Sequence, residues 1–223
     1  MRRFGIASRL MLGVGTKELR RLARELGRDH ALAQRLWDTG VFEARLLACL
    51  VDEPARVTER QLERCVGQLD SWALCDGWCQ ELVAKTRFAW AKAFAWSRRE
   101  EEFARRAAFA LAAKLAVHDR TAPDSRFLRF LRVVERSSSD PRPYVRKAVN
   151  WALRQIGKRN ASLRRAAIAS ARRIHRRASS SARWIASDAL RELRSETVRT
   201  RARRSGLPTG PVGRRSRVSD PTS

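Results

Sequence analysis

The chain has 223 residues, 43% of them hydrophobic, which suits a globular domain with its own core and excludes a disordered polymer. No apolar run approaches the ~18–20 residues of a membrane span, and Arg9 splits the apolar part of MRRFGIASRLMLGVG with no clear small-residue cleavage site after it, so a cytoplasmic protein is expected. Lys and Arg outnumber Asp and Glu by 48 to 23, a net charge of +25 that favours a polyanionic partner, since each neutralised phosphate releases condensed counterions.

Only six of the basic residues are lysines. A GC-rich coding sequence accounts for Arg over Lys but not for the net excess. Nucleic acid is favoured over a membrane surface because no basic amphipathic helix stands beside a lipid-inserting aromatic face.

In chain order, almost everything reads as helix. A segment over 16–26 opens at Thr16 or the residue before it and stops at Gly27. Segments over 31–39, ended by Gly40, and over 42–50 follow. Pro54 breaks the chain, and Thr58 with Gln61 predicts a capping box for a helix to about residue 68. Helices over 71–85, 88–96 and 100–117 come next. Ala122-Pro123-Asp124 starts another, to about residue 136. The SSSDPRP loop at 137–143 leads into a helix over 144–156, stopped by Gly157. Asn160 or Ser162 caps 162–177, and Ser179 to Ser181 introduce 183–194.

No alternating strand pattern competes, so the fold class is all-α. Successive helix pairs of similar layout predict an α-solenoid, a superhelix of HEAT-like repeats over 1–198 with one helix of each pair lining a concave surface. A compact helical bundle is the alternative. The stretch 199–223 holds seven Arg and one Asp among Gly and Pro, and is expected to be a disordered basic tail.

The four cysteines, Cys49, Cys65, Cys75 and Cys79, lie in apolar helical patterns and read as buried free thiols. His30, His118 and His175 are scattered, and neither set completes a metal site. The informative stretch is DSWALCDGWCQELV at 70–83. Its apolar stripe is Leu74, Cys75, Trp78, Cys79 and Leu82, while Trp72 and Asp76 lie ~90° and ~130° from the middle of that stripe and ~40° from each other. In YVRKAVNWALRQIGK the stripe runs Val145, Ala148, Val149, Ala152, Leu153, Ile156, and Trp151 lies ~130° off its centre. Arg146, Lys147, Arg154 and Lys158 supply charge around it. Either tryptophan alone suits a helix-pair interface; two together, one with a carboxylate and one among cations, suit a nucleotide site. Trp37, Trp78, Trp90, Trp96 and Trp184 read as packing residues, and Glu101 and Glu102 as helical-spacing partners of Arg105 and Arg106.

DSWALCD at 70–76, WSRREEEFARRAAFAL at 96–111 and YVRKAVNWALRQIGKRN at 144–160 resemble the DNA alkylation repair family, the AlkD-type DNA glycosylases. LGVGTKELRRLARELG at 12–27 is similar to the family's N-terminal segment, with Lys17 where the family has proline; about eleven residues precede it, where longer members carry a further helix over the lesion-bearing strand. The likeness covers roughly 12–195.

The resemblance implies a HEAT-like superhelix whose basic concave face grips duplex DNA and excises cationic alkylpurines such as 3-methyladenine and 7-methylguanine. It does so without flipping the base into a pocket and without metal or cofactor. It implies Trp72, Asp76 and Trp151 as the aromatic–acid–aromatic cleft, Arg106 as the holder of DNA backbone, and Lys147 as the basic residue beside the second tryptophan, with Arg105, Arg146, Arg154 and Lys158 as further DNA contacts. The partner would be alkylated duplex DNA, bound by a monomer. The alternatives are a non-catalytic DNA-binding module and, less suited to this charge, a protein-interaction scaffold. Asp76 also has a plain structural role open to it, pairing with an arginine.

Overall fold

The computed structural model describes residues 10–195. Among them are eleven α-helices and no strand: α1 Thr16–Leu26, α2 His30–Asp38, α3 Phe42–Val51, α4 Glu59–Gly67, α5 Trp72–Glu81, α6 Ala89–Trp96, α7 Glu102–His118, α8 Asp124–Ser137, α9 Pro143–Lys158, α10 Ala161–His175 and α11 Ser180–Arg194. The Arg-rich stretch from residue 199 lies outside the described residues, as does the charged start of the chain.

The helices form an α-solenoid of stacked pairs. Helices α1, α3, α5, α7, α9 and α11 pack side by side in one continuous row. Behind that row α6 lies on α7, α8 on α9, and α10 on α8, α9 and α11. Polar ties join the back layer. Arg64 of α4 reaches Asp38 of α2, and Lys92 of α6, only 5% exposed, sits between Glu59 and Glu63 of α4. Arg173 and Ser170 of α10 meet Glu135 of α8. Burial works against the Glu63 charge, but hydrogen bonds from Lys92 and Trp96 outweigh it and hold the carboxyl below its usual range.

Aromatic packing supplies much of the core. Trp78 stacks on Trp96 with centroids 5.3 Å apart, and Trp37 tilts against Trp78 at 6.0 Å. Trp90 is half-buried, its edge against Phe127 and its indole N–H donated to Asp119. Trp184 departs from the expected packing role: it is 40% exposed beneath the Arg146 guanidinium. All four cysteines are buried free thiols, and burial pushes Cys65 up to about 12. Among the described residues no group of three or more His, Cys, Asp or Glu is gathered as a metal would need, and no helix is long and apolar enough to cross a membrane.

Three local expectations are corrected. Thr58 caps α4 by accepting the Gln61 N–H, but the Gln61 side chain turns to buried Asp52 at 2.8 Å, so the capping box is only half made. The segment expected as one helix over 71–85 ends at Glu81 and continues as a 3-10 turn, Val83–Lys85. Gly157 does not stop α9; the helix runs to Lys158, and a Cβ there would lie 2.9 Å from the Ala167 Cβ and 2.7 Å from Leu193. That glycine serves close approach of three helices, not termination.

Candidate functional site

Asp76 and Trp72, one turn apart on α5, both leave the buried stripe and are half-buried. They share a cavity of about 430 Å³ with α1 and α3, walled by Val14, Leu19, Phe42, Leu46 and Leu50. Its far side is built by the LGVGT segment. Glu43, 1% exposed in the first turn of α3, accepts the Leu12 and Gly13 N–H groups at 2.9 and 2.7 Å, and Gly13 takes a φ of 81° that only glycine adopts without strain. On the α3 side, Gly77 lets Leu46 lie where a Cβ would come within 2.7 Å of it.

From this cavity two rungs cross to α7 and α9. In the first, Arg106 of α7 donates Nε to Asp76 Oδ1 at 2.9 Å and Nη2 to Oδ2 at 2.7 Å, and spends Nη1 on the Tyr144 carbonyl at 2.8 Å. In the second, one turn along α5, Gln80 accepts a hydrogen bond from Lys114 of α7, whose ammonium stands 5.0 Å over the Trp151 ring. Burial pushes the Asp76 carboxyl above its ordinary value, against the pull of Arg106 and Lys114. Burial alone would lower Arg106, but the Asp76 charge wins and holds it raised.

The expected site residues are therefore only partly gathered. Trp72 and Asp76 share one cavity; Trp151 lies two helices away, reached through Gln80 and Lys114, and does not line that cavity. Arg106, expected on DNA backbone, is 6% exposed and committed to Asp76 and Tyr144. Arg105 pairs with Asp140 and not with Glu101, which pairs with Arg99. The charges expected around Trp151 are otherwise engaged. Arg146 lies on Trp184 at 4.8 Å, while Arg154 and Lys158 reach Glu192 of α11. Lys147 is exposed and has no ion pair among the described residues. The cation on Trp151 is Lys114, absent from the sequence expectations. Its signal was there: a lone lysine inside FALAAKLAV, a stretch otherwise apolar all round that must direct its one charge somewhere specific.

Net charge, two rows of helices and a carboxylate beside one tryptophan converge with comparison to known proteins. A family model described as DNA alkylation repair enzyme matches residues 1–193. The chain belongs to the DNA alkylation repair enzyme family. A solved structure described as "A new family of proteins related to the HEAT-like repeat DNA glycosylases with affinity for branched DNA structures" superposes with a TM-score of 0.70 at 18% identity, covering 85% of this chain and 86% of that one. At that identity the likeness establishes the HEAT-like fold. A search of curated proteins finds no match.

Proposed function

We propose that this chain is a DNA repair glycosylase that hydrolyses the N-glycosidic bond of cationic N3- and N7-alkylpurines in duplex DNA, the base staying out of any base pocket. The observation that carries this is the Trp72–Asp76 pair on one cavity, with the carboxylate fixed at both oxygens by Arg106. An alkylated purine already carries positive charge and is a good leaving group. As the bond between C1′ and the base nitrogen breaks, its electron pair neutralises the purine and the sugar becomes oxocarbenium-like. Asp76 stabilises that cation and orients the water whose oxygen bonds to C1′ and whose proton passes to Asp76 or solvent. The faces of Trp72 and Trp151 favour the same developing charge.

Arg106 is then a positioning residue, aiming Asp76 and opposing the burial that favours its neutral form, and Lys147 is the exposed cation left for phosphate. The acting unit is the repeat domain over 1–198, monomeric and cytoplasmic, with the basic stretch 199–223 adding sequence-independent attraction to DNA.

A second reading has its own support. Four of the six expected phosphate contacts, Arg105, Arg106, Arg154 and Lys158, are tied to carboxylates. This inner face could recognise DNA structure without releasing a base, as the structurally similar protein is described as having affinity for branched DNA. Base release from duplex DNA holding 7-methylguanine and 3-methyladenine, wild type beside Asp76→Asn, separates the readings. Release by wild type and its loss in the variant supports the glycosylase; salt-sensitive binding with no release by wild type supports recognition alone.

A further inference from the structure

The cations without carboxylate partners are not concentrated where the cleft lies. On α8, Arg129, Arg132 and Arg136 are exposed, and at ~100° per residue they fall within ~60° of one another. On α10, Arg165 and Arg172, with Arg176 just past its end, are exposed and fall within ~40°. None of the six has an ion pair among the described residues. Helix α10 contains no carboxylate, and Glu135 of α8 is already taken by Arg173 and Ser170. Because α8 and α10 are adjacent in the back layer, the two rows stand side by side, about 8–10 Å between axes. Arg136 also borders a cleft of about 270 Å³ with Arg98, Arg105 and Asp140, in which Asp140 is tied to Arg105 and Arg98 is the further cation toward the α6–α7 corner.

Such a plate is the wrong side of the molecule for the Trp72–Asp76 cavity. On α9, Lys147 and Trp151 project ~170° and ~130° away from the centre of the buried stripe, Val145 to Ile156, that packs on the neighbouring helices. Two helix layers of ~10 Å each therefore separate the cleft row from the arginine plate. A short duplex cannot lie on both, since DNA of ~150 bp persistence length resists folding back within a few base pairs.

We infer that the α8–α10 face is a second DNA-binding site, engaging the phosphate backbone of a duplex segment other than the one on the inner row, so that the chain holds two arms of a junction or two crossing duplexes. Six planar guanidinium groups in two rows grip phosphate without reading sequence. The site goes beyond the proposed glycosylase chemistry and stands whether or not the inner face releases a base.

The test uses the full chain and a variant, Arg129→Gln/Arg132→Gln/Arg172→Gln, with the corresponding triple Lys variant as a charge-keeping control. Native mass spectrometry counts bound 12-base-pair duplexes, and fluorescence anisotropy follows binding to a four-way junction and to linear duplex across a salt series. We expect two duplexes on wild type and one on the Gln variant. Junction affinity falls at least tenfold, its log–log salt slope flattens by about 0.9 for each phosphate no longer neutralised, and the Lys variant stays near wild type. A single duplex on wild type, or an unchanged slope in the Gln variant, overturns the inference. So does a Gln variant that loses binding to phosphatidylserine vesicles while its DNA binding is intact, which would assign the plate to a membrane.

Discussion

Arg106 faces Asp76 through two hydrogen bonds, at 2.9 and 2.7 Å, and so ties α7 to α5 at the cavity edge. Charge-assisted and two-pronged, the pair fixes the carboxylate in both distance and plane. Its side chains are 7% and 21% exposed, so deleting one member strands the other where water reaches it poorly. Arg106→Gln should therefore cost about 2–4 kcal/mol, a little under the range for a fully buried pair. Urea denaturation checks this. The double variant with Asp76→Asn should recover most of that stability, because no stranded charge remains; additive effects would mean the two residues are not coupled.

Asp140 should contribute to acid sensitivity. This carboxylate, 4% exposed, accepts from Arg142 at 2.6 and 2.9 Å and from Arg105 at 3.0 Å. Burial raises its pKa, but the hydrogen bonds from Arg142 and Arg105 outweigh that, and the folded value is depressed. A depressed folded pKa contributes stability in full above the unfolded value, about 4, and loses it as pH falls through the folded one. The urea midpoint of wild type should accordingly drop from pH 5 to pH 3. Asp140→Asn should be less stable at pH 7 by about 1–3 kcal/mol and show a flatter acid limb. Equal acid limbs in the two proteins would remove Asp140 from the account.

Periodicity made most of this fold legible. Leu74, Cys75, Trp78, Cys79 and Leu82 are all buried as their spacing requires, and Ser71, Asn160 and Ser179 cap the helices they precede. Trp72, Asp76 and Trp151 were equally visible, because large or charged groups off an apolar stripe must face something else. What spacing along one helix does not carry is the partner on another. Glu101 and Glu102 stand at good helical distance from Arg105 and Arg106, yet those arginines reach Asp140 and Asp76, some thirty residues away in sequence. Gly157 misled for a related reason: a glycine that ends a helix and one that admits a neighbouring helix look alike until the neighbours, Ala167 and Leu193, are in place.

Gly157→Ala should destabilise the α9–α10–α11 packing. In an isolated helix the change would gain about 1 kcal/mol of propensity. Here the new methyl would meet Leu193, whose Cδ2 can rotate away, and the Ala167 Cβ at 2.9 Å, which cannot move without its backbone. Overpacking of this kind costs about 1–3 kcal/mol. The net expectation is a loss of about 1 kcal/mol in thermal or urea unfolding. A gain in stability would mean that α10 shifts freely, and that the close approach is not a constraint.

Lys114 gives the most direct probe of the cleft. Its ammonium stands over Trp151 and is held there by Gln80, so the protein's own cation occupies the aromatic face that the proposed chemistry assigns to a cationic sugar or base. Lys114→Met keeps the apolar stem and removes the charge. Without the cation–π interaction, stability should fall by about 0.5–2 kcal/mol. The vacated face should then accept an external cation more readily. Affinity for duplex containing 7-methylguanine, relative to unmodified duplex, should rise by about 2- to 30-fold, the same free energy expressed as a binding ratio. Anisotropy competition between the two duplexes measures it. If the ratio is unchanged while the drop in stability is seen, Lys114 stays on Trp151 in the complex, and the lesion is met by Trp72 and Asp76 alone.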